Sequence, residues 1–157
     1  MAMDDLYTKP GHLIRRAHQI VVGMFMEECA EHDLTPVQYA CLVAARENPG
    51  IDATRLSYLI AFDRSTLGKV LDRLKAKGLI KRAGSADDKR VKTVELTREG
   101  IRLLATVEPA VRRAQDRFLS RLPAGERREF MRTLSRLVEL NNEYSRAPLR
   151  VVASSDD

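Results

Sequence analysis

The sequence lacks tryptophan altogether, and Phe, Tyr and Trp together make up only 5% of its 157 residues. So few aromatic rings argue against a platform that stacks the bases of a single strand. Apolar runs stop far short of the ~20 residues that a membrane span needs, and the acidic start Met-Ala-Met-Asp-Asp is unlike a signal peptide. We therefore expect a cytoplasmic protein with no membrane partner, and its 44% hydrophobic and 31% charged residues predict one globular domain with a core.

Cysteine is also scarce. Cys29 and Cys41 are the two cysteines, and they have neither a CxxC spacing nor the density of a disulfide-rich domain. We expect reduced thiols in the core, while an oxidant switch through Cys29 and Cys41 stays an alternative.

Residue patterns for metal binding and catalysis are missing as well. His12 and His18 are six residues apart, on different faces of a helix, and no Cys or carboxylate completes a ligand set with them or with His32. The sequence contains no nucleophile elbow, phosphate loop or HExxH motif. We expect neither a cofactor nor an enzyme.

Positive charge is concentrated in one part of the chain. Between Arg64 and Lys92 there are ten Lys or Arg and three Asp, a net charge of +7, whereas the whole chain carries only +5. Such a cluster neutralises phosphates while a few side chains reach base edges. Double-stranded DNA is the expected partner, although helical charge runs are commonly solvated faces supported by pairs such as Asp72 with Lys75.

Apolar spacing and helix caps predict four helices before Gly78. Thr35, Pro36 and Gln38 form the pattern of a capping box with proline at the first helical position. Asp52 and Asp63 are candidate N-caps of the next two helices, and Gly78 is a candidate C-cap. The helices are predicted over residues 11–30, 36–47, 53–60 and 64–77, and the last two are separated as in a helix-turn-helix.

The apolar period changes after Gly78. Residues 79–82 and 91–96 predict a two-stranded hairpin, or wing, with a turn over residues 84–87. A fifth helix begins after Thr97 and should kink at Pro109. A sixth follows Pro123, with these residues on its buried side: Phe130, Met131, Leu134, Leu137, Val138 and Tyr144.

The expected fold is mainly α with a small β-wing, a winged helix-turn-helix. The first, fifth and sixth helices have more apolar surface than one chain easily covers, so we expect a homodimer. Residues 1–34 and 98–146 would supply the dimerisation helices, 35–97 the DNA-binding lobe and 147–157 a flexible tail. A two-fold dimer would place paired helices in major grooves about 34 Å apart on a palindromic operator.

Four segments carry a resemblance to a known family. They are Leu34-Thr35-Pro36-Val37-Gln38-Tyr39, the run from Arg64 to Ile80, Asp88-Lys89-Arg90, and Val94-Glu95-Leu96-Thr97-Arg98-Glu99-Gly100. In this order they resemble the MarR (multiple antibiotic resistance regulator) family. The resemblance implies a homodimeric winged-helix repressor that leaves its operator when a small molecule, often an aromatic acid or phenol, binds between the dimerisation helices and the DNA-binding lobe.

The resemblance also implies a set of DNA-binding residues. Residues 64–77 match the recognition helix, Arg90 of the wing would enter the minor groove, and Asp88 would orient a neighbouring basic group. Ser65 and Thr66 have capping as an alternative role, Arg90 could be an ordinary hairpin charge, and Asp88 could simply form the turn. The DNA-binding candidates are Thr54, Arg64, Ser65, Thr66, Lys69, Arg73, Asp88, Lys89 and Arg90.

An effector site is expected near the first two helices. An arginine forks onto a carboxylate, and aromatic rings flank a planar ligand. The candidates for a small aromatic carboxylate are His12, Arg15, Arg16, Tyr39 and Phe62, although the arginines could instead lie at the surface and Tyr39 in the core. The opening Pro10-Gly11-His12-Leu13-Ile14-Arg15-Arg16 is similar to MarR regulators of aromatic or N-heteroaromatic acid catabolism, such as hydroxynicotinate-responsive repressors.

The sequence leaves three functions to compare. A ligand-released repressor would bind a short palindrome in a salt-sensitive way. A protein-interaction module would keep its activity when Arg73 and Arg90 are both replaced by Ala. A redox-sensing regulator would lose its peroxide response when Cys29 and Cys41 are replaced by Ser.

Overall fold

The computed structural model describes residues 3–84 and 92–151. Within these ranges the chain forms seven α-helices, three β-strands and two short 3-10 turns, at Ala30–His32 and Asn142–Tyr144. The helices are α1 (Met3–Tyr7), α2 (Pro10–Glu28), α3 (Pro36–Glu47), α4 (Ala53–Leu59), α5 (Arg64–Ala76), α6 (Arg98–Leu119) and α7 (Ala124–Leu140), and the strands are β1 (Ile51–Asp52), β2 (Ile80–Gly84) and β3 (Lys92–Leu96).

The caps expected from the sequence are confirmed. At the start of α3 the backbone N–H of Gln38 donates to Oγ1 of Thr35, and the backbone N–H of Thr35 donates to Oε1 of Gln38. Asp52 and Asp63 cap α4 and α5. Gly78 follows α5 with a φ of +71°, a left-handed conformation that glycine adopts without strain. These caps fix where α3, α4 and α5 begin and where α5 ends.

The expectation of a two-stranded wing was wrong in one respect. The sheet has three antiparallel strands in the order β1-β3-β2 among the described residues. Ile51 pairs with Val94, and on the other side of β3 Arg82 pairs with Val94 and Gly84 with Lys92. The two-residue strand β1 ties the start of α4 to the wing, so the hairpin has one covered edge.

The core lies between the helices and the sheet. Leu67, Leu71 and Leu74 on one face of α5 are almost fully buried, as are Leu42 of α3 and Leu104 of α6. Gly100, near the start of α6, is close to the turn before β2, where an added Cβ would collide with the carbonyl oxygen of Leu79. This close approach packs the start of α6 against the turn that precedes β2. The helix continues through Pro109 to Leu119.

Helices α2 and α6 pack along each other and are joined by ion pairs. Arg113 Nε lies 3.0 Å from Glu28 Oε2, and Arg117 Nη1 lies 2.7 Å from Glu27 Oε2. The charge of Glu27, through a hydrogen bond and Coulomb attraction, raises the pKa of Arg117. Phe25 of α2 is buried against this part of the core.

The last helix, α7, differs from the other helices of more than five residues because it buries none of its residues within one chain. Its predicted buried side is in fact exposed or half-buried: Met131, Leu137 and Val138 are 45, 47 and 59% exposed. On α2, Leu13, Ile14 and Ile20 are also exposed. A single chain therefore leaves α7 and one apolar side of α2 largely uncovered, whereas α6 is packed into the core.

Both ends of the described chain contain features that the sequence did not predict. The short helix α1 precedes α2, and the Tyr7 ring lies 5.6 Å from the ring of His12. At the other end, residues up to Val151 turn back towards α4, where the backbone N–H of Arg150 donates to the carbonyl oxygen of Tyr58. The remaining part of the expected tail, residues 152–157, lies outside the described residues. No helix of the described chain is long and apolar enough to cross a membrane.

Candidate nucleic-acid interface

Helices α4 and α5 form the helix-turn-helix. The chain reverses between them at Ala61, which has a φ of +49°, and the backbone N–H of Phe62 donates to the carbonyl oxygen of Ser57 across the turn. Leucines at 67, 71 and 74 anchor one face of α5 in the core. The opposite face is consequently held outward, away from the core.

The outward face of α5 is basic. Arg64, Lys69, Arg73 and Lys75 are all exposed. In the described parts of the chain, none of these four side chains has an ion-pair partner. Free cations on the outer face of the second helix can contact backbone phosphates or base edges in a major groove.

Two other cations of the charge cluster are already paired. Arg82 Nη1 lies 2.9 Å from Oδ1 of Asp72, and Lys77 Nζ lies 2.8 Å from Oδ2 of Asp33 and also donates to the Asp33 carbonyl oxygen. Asp72 thus pairs with Arg82 of β2 rather than with Lys75 of its own helix. The count of ten Lys and Arg in the sequence segment therefore overstates the number of cations that are free to meet DNA.

The first turn of α5 is organised around Asp63. Its carboxylate accepts hydrogen bonds from the backbone N–H and the hydroxyl of Ser65, and Oγ1 of Thr66 donates to its carbonyl oxygen. The hydrogen bonds from Ser65 lower the pKa of Asp63. In this structure Ser65 and Thr66 take the capping role, while both side chains remain exposed.

Thr54 lies at the start of α4. Its backbone N–H donates to Oδ1 of Asp52, and its carbonyl oxygen accepts from the hydroxyl of Ser57. The Thr54 side chain is half-buried, and it lies on α4, the helix that precedes α5.

The wing begins within the described residues, but its tip does not fall among them. The pairing of β2 with β3 reaches Gly84 and Lys92. Asp72, Lys75, Arg82 and Lys92 line a cleft of about 170 Å³ where the wing meets α5. The expected DNA-binding residues of the wing, Asp88, Lys89 and Arg90, lie outside the described residues.

The expected effector residues are divided among three places. Arg15 lies beside His12, with Nη2 3.4 Å from Nδ1 of the imidazole, and Arg16 is exposed on the same helix. Tyr39 is half-buried, with its ring 6.1 Å from that of Phe25. Phe62 lines a cleft near the helix-turn-helix. No hydrogen bond or ring contact between described residues joins these three places.

Both thiols are free and buried. Burial raises the pKa of Cys41 to about 12. Burial, and then the charge of Glu28, raises the pKa of Cys29. Raised pKa values leave little of the thiolate that reacts with oxidants. The described residues contain no cluster of three His, Cys, Asp or Glu suited to a metal ion.

A buried helix face, an opposite face of free cations and an adjoining antiparallel wing define the class of this protein. It is a winged helix-turn-helix DNA-binding protein. Residues 34–92 match the model of the MarR family. A curated relative, the HTH-type transcriptional repressor NicR of Pseudomonas putida, is 30% identical over 86% of this chain and 85% of its own length.

Solved structures agree with the sequence comparison. The structure of Bordetella bronchiseptica BpsR, whose DNA binding is regulated by 6-hydroxynicotinic acid, has a TM-score of 0.79 and 27% identity, covering 84% of this chain and 94% of that one. The transcriptional repressor CouR bound to a 23-mer DNA duplex has a TM-score of 0.79 and 28% identity, covering 88% and 98%. The chain belongs to the MarR family of transcriptional regulators. The resemblance and the fold class expected from the sequence are confirmed.

Sequence reasoning missed several residues that shape this interface. Asp33 and Lys77 are 44 residues apart, and Tyr58 is bound by a segment near the end of the described chain. Neither pairing has a local sequence signal. By contrast, an Arg in the first wing strand, ten residues after an Asp on the outer face of α5, is a pattern that could have suggested the pair Asp72–Arg82.

Proposed function

We propose that this chain is a homodimeric repressor that binds a palindromic DNA operator and leaves it when a small aromatic carboxylate binds. The observation that carries the DNA-binding part is the outer face of α5, where Lys69 and Arg73 lie one turn apart, exposed and without an ion-pair partner in the described chain. Arginine and lysine at such positions bind guanine edges or phosphates. The CouR structure with its DNA duplex supports this role.

The homodimer follows from the apolar surface that a single chain leaves open. Helix α7 buries none of its residues, and Leu13 and Ile14 of α2 are about half exposed. Covering these side chains with a second copy would remove them from water, which is favourable in proportion to the apolar area buried. We assign α2, α6 and α7 to dimerisation and residues 35–97 to the DNA-binding lobe. Two-fold pairing then matches a palindrome.

The ligand that we propose is an aromatic or N-heteroaromatic acid. BpsR is regulated by 6-hydroxynicotinic acid, and this chain covers nearly all of that structure. Arg15 and Arg16 can fork onto a carboxylate, and His12 beside Arg15 can bind a polar ring substituent. Tyr39 or Phe62 would flank the ring.

The DNA-binding function can be tested by selection. The purified protein is incubated with a pool of random-sequence duplexes, and retained duplexes are sequenced. We expect a single short palindrome, whose affinity falls with added salt. Retention of duplexes without a common sequence would contradict a sequence-specific regulator.

In the Arg73→Ala variant, loss of one good base contact should cost about 1–3 kcal/mol of binding free energy and relax the sequence preference at one position of each half-site.

The ligand is tested separately, with the selected duplex. The thermal midpoint of the protein is measured with 6-hydroxynicotinic acid, related aromatic carboxylates and matched amides. A ligand that binds only the folded protein raises the midpoint. The effective acid should also release the duplex, and Arg15→Gln should weaken this release while leaving DNA affinity without the acid unchanged. Equal effects of acids and amides would contradict the proposed carboxylate recognition.

A further inference from the structure

The segment after α7 is folded back on itself by one side chain. Nδ2 of Asn142 donates to the carbonyl oxygen of Leu149 at 3.1 Å, and Oδ1 of Asn142 accepts from the Leu149 backbone N–H at 2.8 Å. The amide satisfies both backbone groups of Leu149, as a neighbouring strand would. This double hydrogen bond closes a loop of residues 142–149.

A second set of contacts holds the closed loop against the helix-turn-helix. The backbone N–H of Arg150 donates to the carbonyl oxygen of Tyr58 at 3.1 Å, and the guanidinium of Arg150 lies 6.0 Å from the centre of the Tyr58 ring. Arg150 also pairs with Glu143 at 3.3 Å. Because Tyr58 is in the last turn of α4, these contacts attach the segment to the helix that precedes the recognition helix.

The attachment places Arg146 next to the start of α5. Arg146, Ala147 and Pro148 form one side of a cleft of about 230 Å³, and Phe62 and Asp63 lie on the other. Arg146 is exposed. Ser65 has the larger effect on the pKa of Asp63, and the nearby charge of Arg146 adds to the lowering. The segment thus brings a cation close to the carboxylate of Asp63 at the N-terminal end of α5.

This juxtaposition has a consequence for DNA binding. The carboxylate of Asp63 accepts the hydrogen bond from the backbone N–H of Ser65, so this N–H is not available to a phosphate. The negative charge of Asp63 also repels a phosphate at this end of α5. A guanidinium beside it offsets that charge, and its remaining N–H groups can bind phosphate oxygens in a forked geometry. A positively charged segment at this position attracts the negatively charged duplex. A segment that blocked the interface by imitating DNA would instead be negatively charged.

We propose that Arg146 is a DNA-phosphate contact, positioned beside the recognition helix by the folded-back segment of residues 142–150. The ligand is the phosphate backbone of the same duplex that α5 reads, so this inference rests on the proposed function. Arg146 binds the phosphate, and Asn142, Tyr58 and Arg150 position it.

The test measures how affinity depends on salt. The probe is the duplex that the wild-type protein selects from the random pool, and its dissociation constant is measured over a range of potassium chloride concentrations. Each phosphate contact contributes about 0.9 to the slope of log K against log salt. In a dimer with two copies of Arg146, Arg146→Gln should reduce the slope by about 1.8. Arg146→Lys, which keeps the charge, should retain most of it.

Two further variants separate a placed contact from a general effect of charge. Arg136→Gln removes the same charge from an exposed position on α7 and should leave the slope at the wild-type value. Asn142→Ala keeps every charge but releases Leu149, so the slope should fall nearly as far as with Arg146→Gln. Circular dichroism and the thermal midpoint check that each variant is folded.

The outcomes are distinguishable. A wild-type protein that selects no duplex overturns the proposed function and this inference with it. A wild-type protein that binds its duplex, with equal slopes for Arg146→Gln and Arg136→Gln, overturns this inference alone. Tighter binding by Arg146→Gln or Asn142→Ala would also overturn it, because the segment would then shield the recognition helix.

Discussion

Arg82 of the wing and Asp72 of the recognition helix form an ion pair, with Nη1 and Oδ1 2.9 Å apart. The arginine is only 19% exposed, whereas the aspartate is 70% exposed. Nε of Arg82 is buried without a hydrogen-bond partner among the described residues. The pair therefore holds the first wing strand against α5.

The first prediction concerns this pair. Asp72→Asn removes a negative charge from the DNA-binding face, so electrostatics alone predicts tighter DNA binding. Because the pair orients the wing, we expect weaker binding to the selected duplex, with about 1 kcal/mol or less lost from the free energy of unfolding. Fluorescence anisotropy and urea denaturation measure the two effects. Glu99→Gln, which breaks the exposed pair with Arg102, is the control and should change neither. Tighter binding by Asp72→Asn would contradict an orienting role.

The second prediction concerns the contact between α6 and the turn before β2. Gly100→Ala places a Cβ against the Leu79 carbonyl oxygen and within 2.9 Å of Cδ2 of Leu96. We expect a loss of about 1–3 kcal/mol in the free energy of unfolding, because backbone must move to make room. Gly125→Ala is the matched control, since a Cβ there meets no atom within 4 Å. That variant should be as stable as the wild type or slightly more stable, because Ala favours helix over Gly. Equal stability of both variants would show that the Gly100 contact can relax.

The third prediction concerns the thiol of Cys41. Its pKa is raised to about 12 in the folded chain, from an ordinary value of 9.0. Between pH 9.0 and about 12 the Cys41 thiol keeps its proton in the folded state but loses it in the unfolded state. The contribution of the buried, protonated thiol to the free energy of unfolding is therefore fully present below pH 9.0 and is lost as the pH rises towards about 12. Urea denaturation across this range should show a smaller alkaline loss for Cys41→Ala than for the wild type.

The same burial predicts how the thiol reacts. Ellman's reagent should label Cys41 slowly in the native protein and rapidly in urea, and peroxide should leave DNA affinity unchanged. Cys29→Ser and Cys41→Ser are the controls. A peroxide-induced loss of DNA binding that disappears in either variant would favour the redox-sensing alternative.

The fourth prediction concerns the uncovered helix α7. Val138, which is 59% exposed in one chain, would be buried in the proposed dimer. Val138→Glu should dissociate the dimer, because burying an unpaired carboxylate is costly. Light scattering after size-exclusion chromatography gives the mass. Arg136→Glu, on the polar stripe with Glu129 and Arg132, should remain dimeric. A Val138→Glu protein with the wild-type mass would place the interface elsewhere.

Local sequence signals were sufficient to locate several elements between residues 35 and 97. Thr35 with Gln38, Asp63 and Gly78 each determine a helix end through contacts within a few residues, so sequence alone located α3 and α5. The strand β1 was missed because two residues carry no alternating pattern, and only pairing with β3 makes them a strand.

The candidate site was less accessible from the sequence. Charge counting located the basic region, but it could not separate exposed Lys69 and Arg73 from Arg82 and Lys77, which have acidic partners on other elements. The capping bonds of Ser65 were an expected alternative, and their geometry needed coordinates. The attachment of Arg150 to Tyr58 depends on how α7 returns towards α4, which no local pattern specifies.

The contact between Lys77 and Asp33 links two parts of the molecule that the sequence keeps far apart. Lys77 closes the C-terminal end of the recognition helix, and Asp33, with a left-handed φ of 48°, lies in the connection that follows α2. Lysine binds both the carboxylate and the carbonyl oxygen of this residue. A shift of α2 would therefore reach the C-terminal end of α5 through this contact, and in the proposed dimer it would change how α5 lies against DNA.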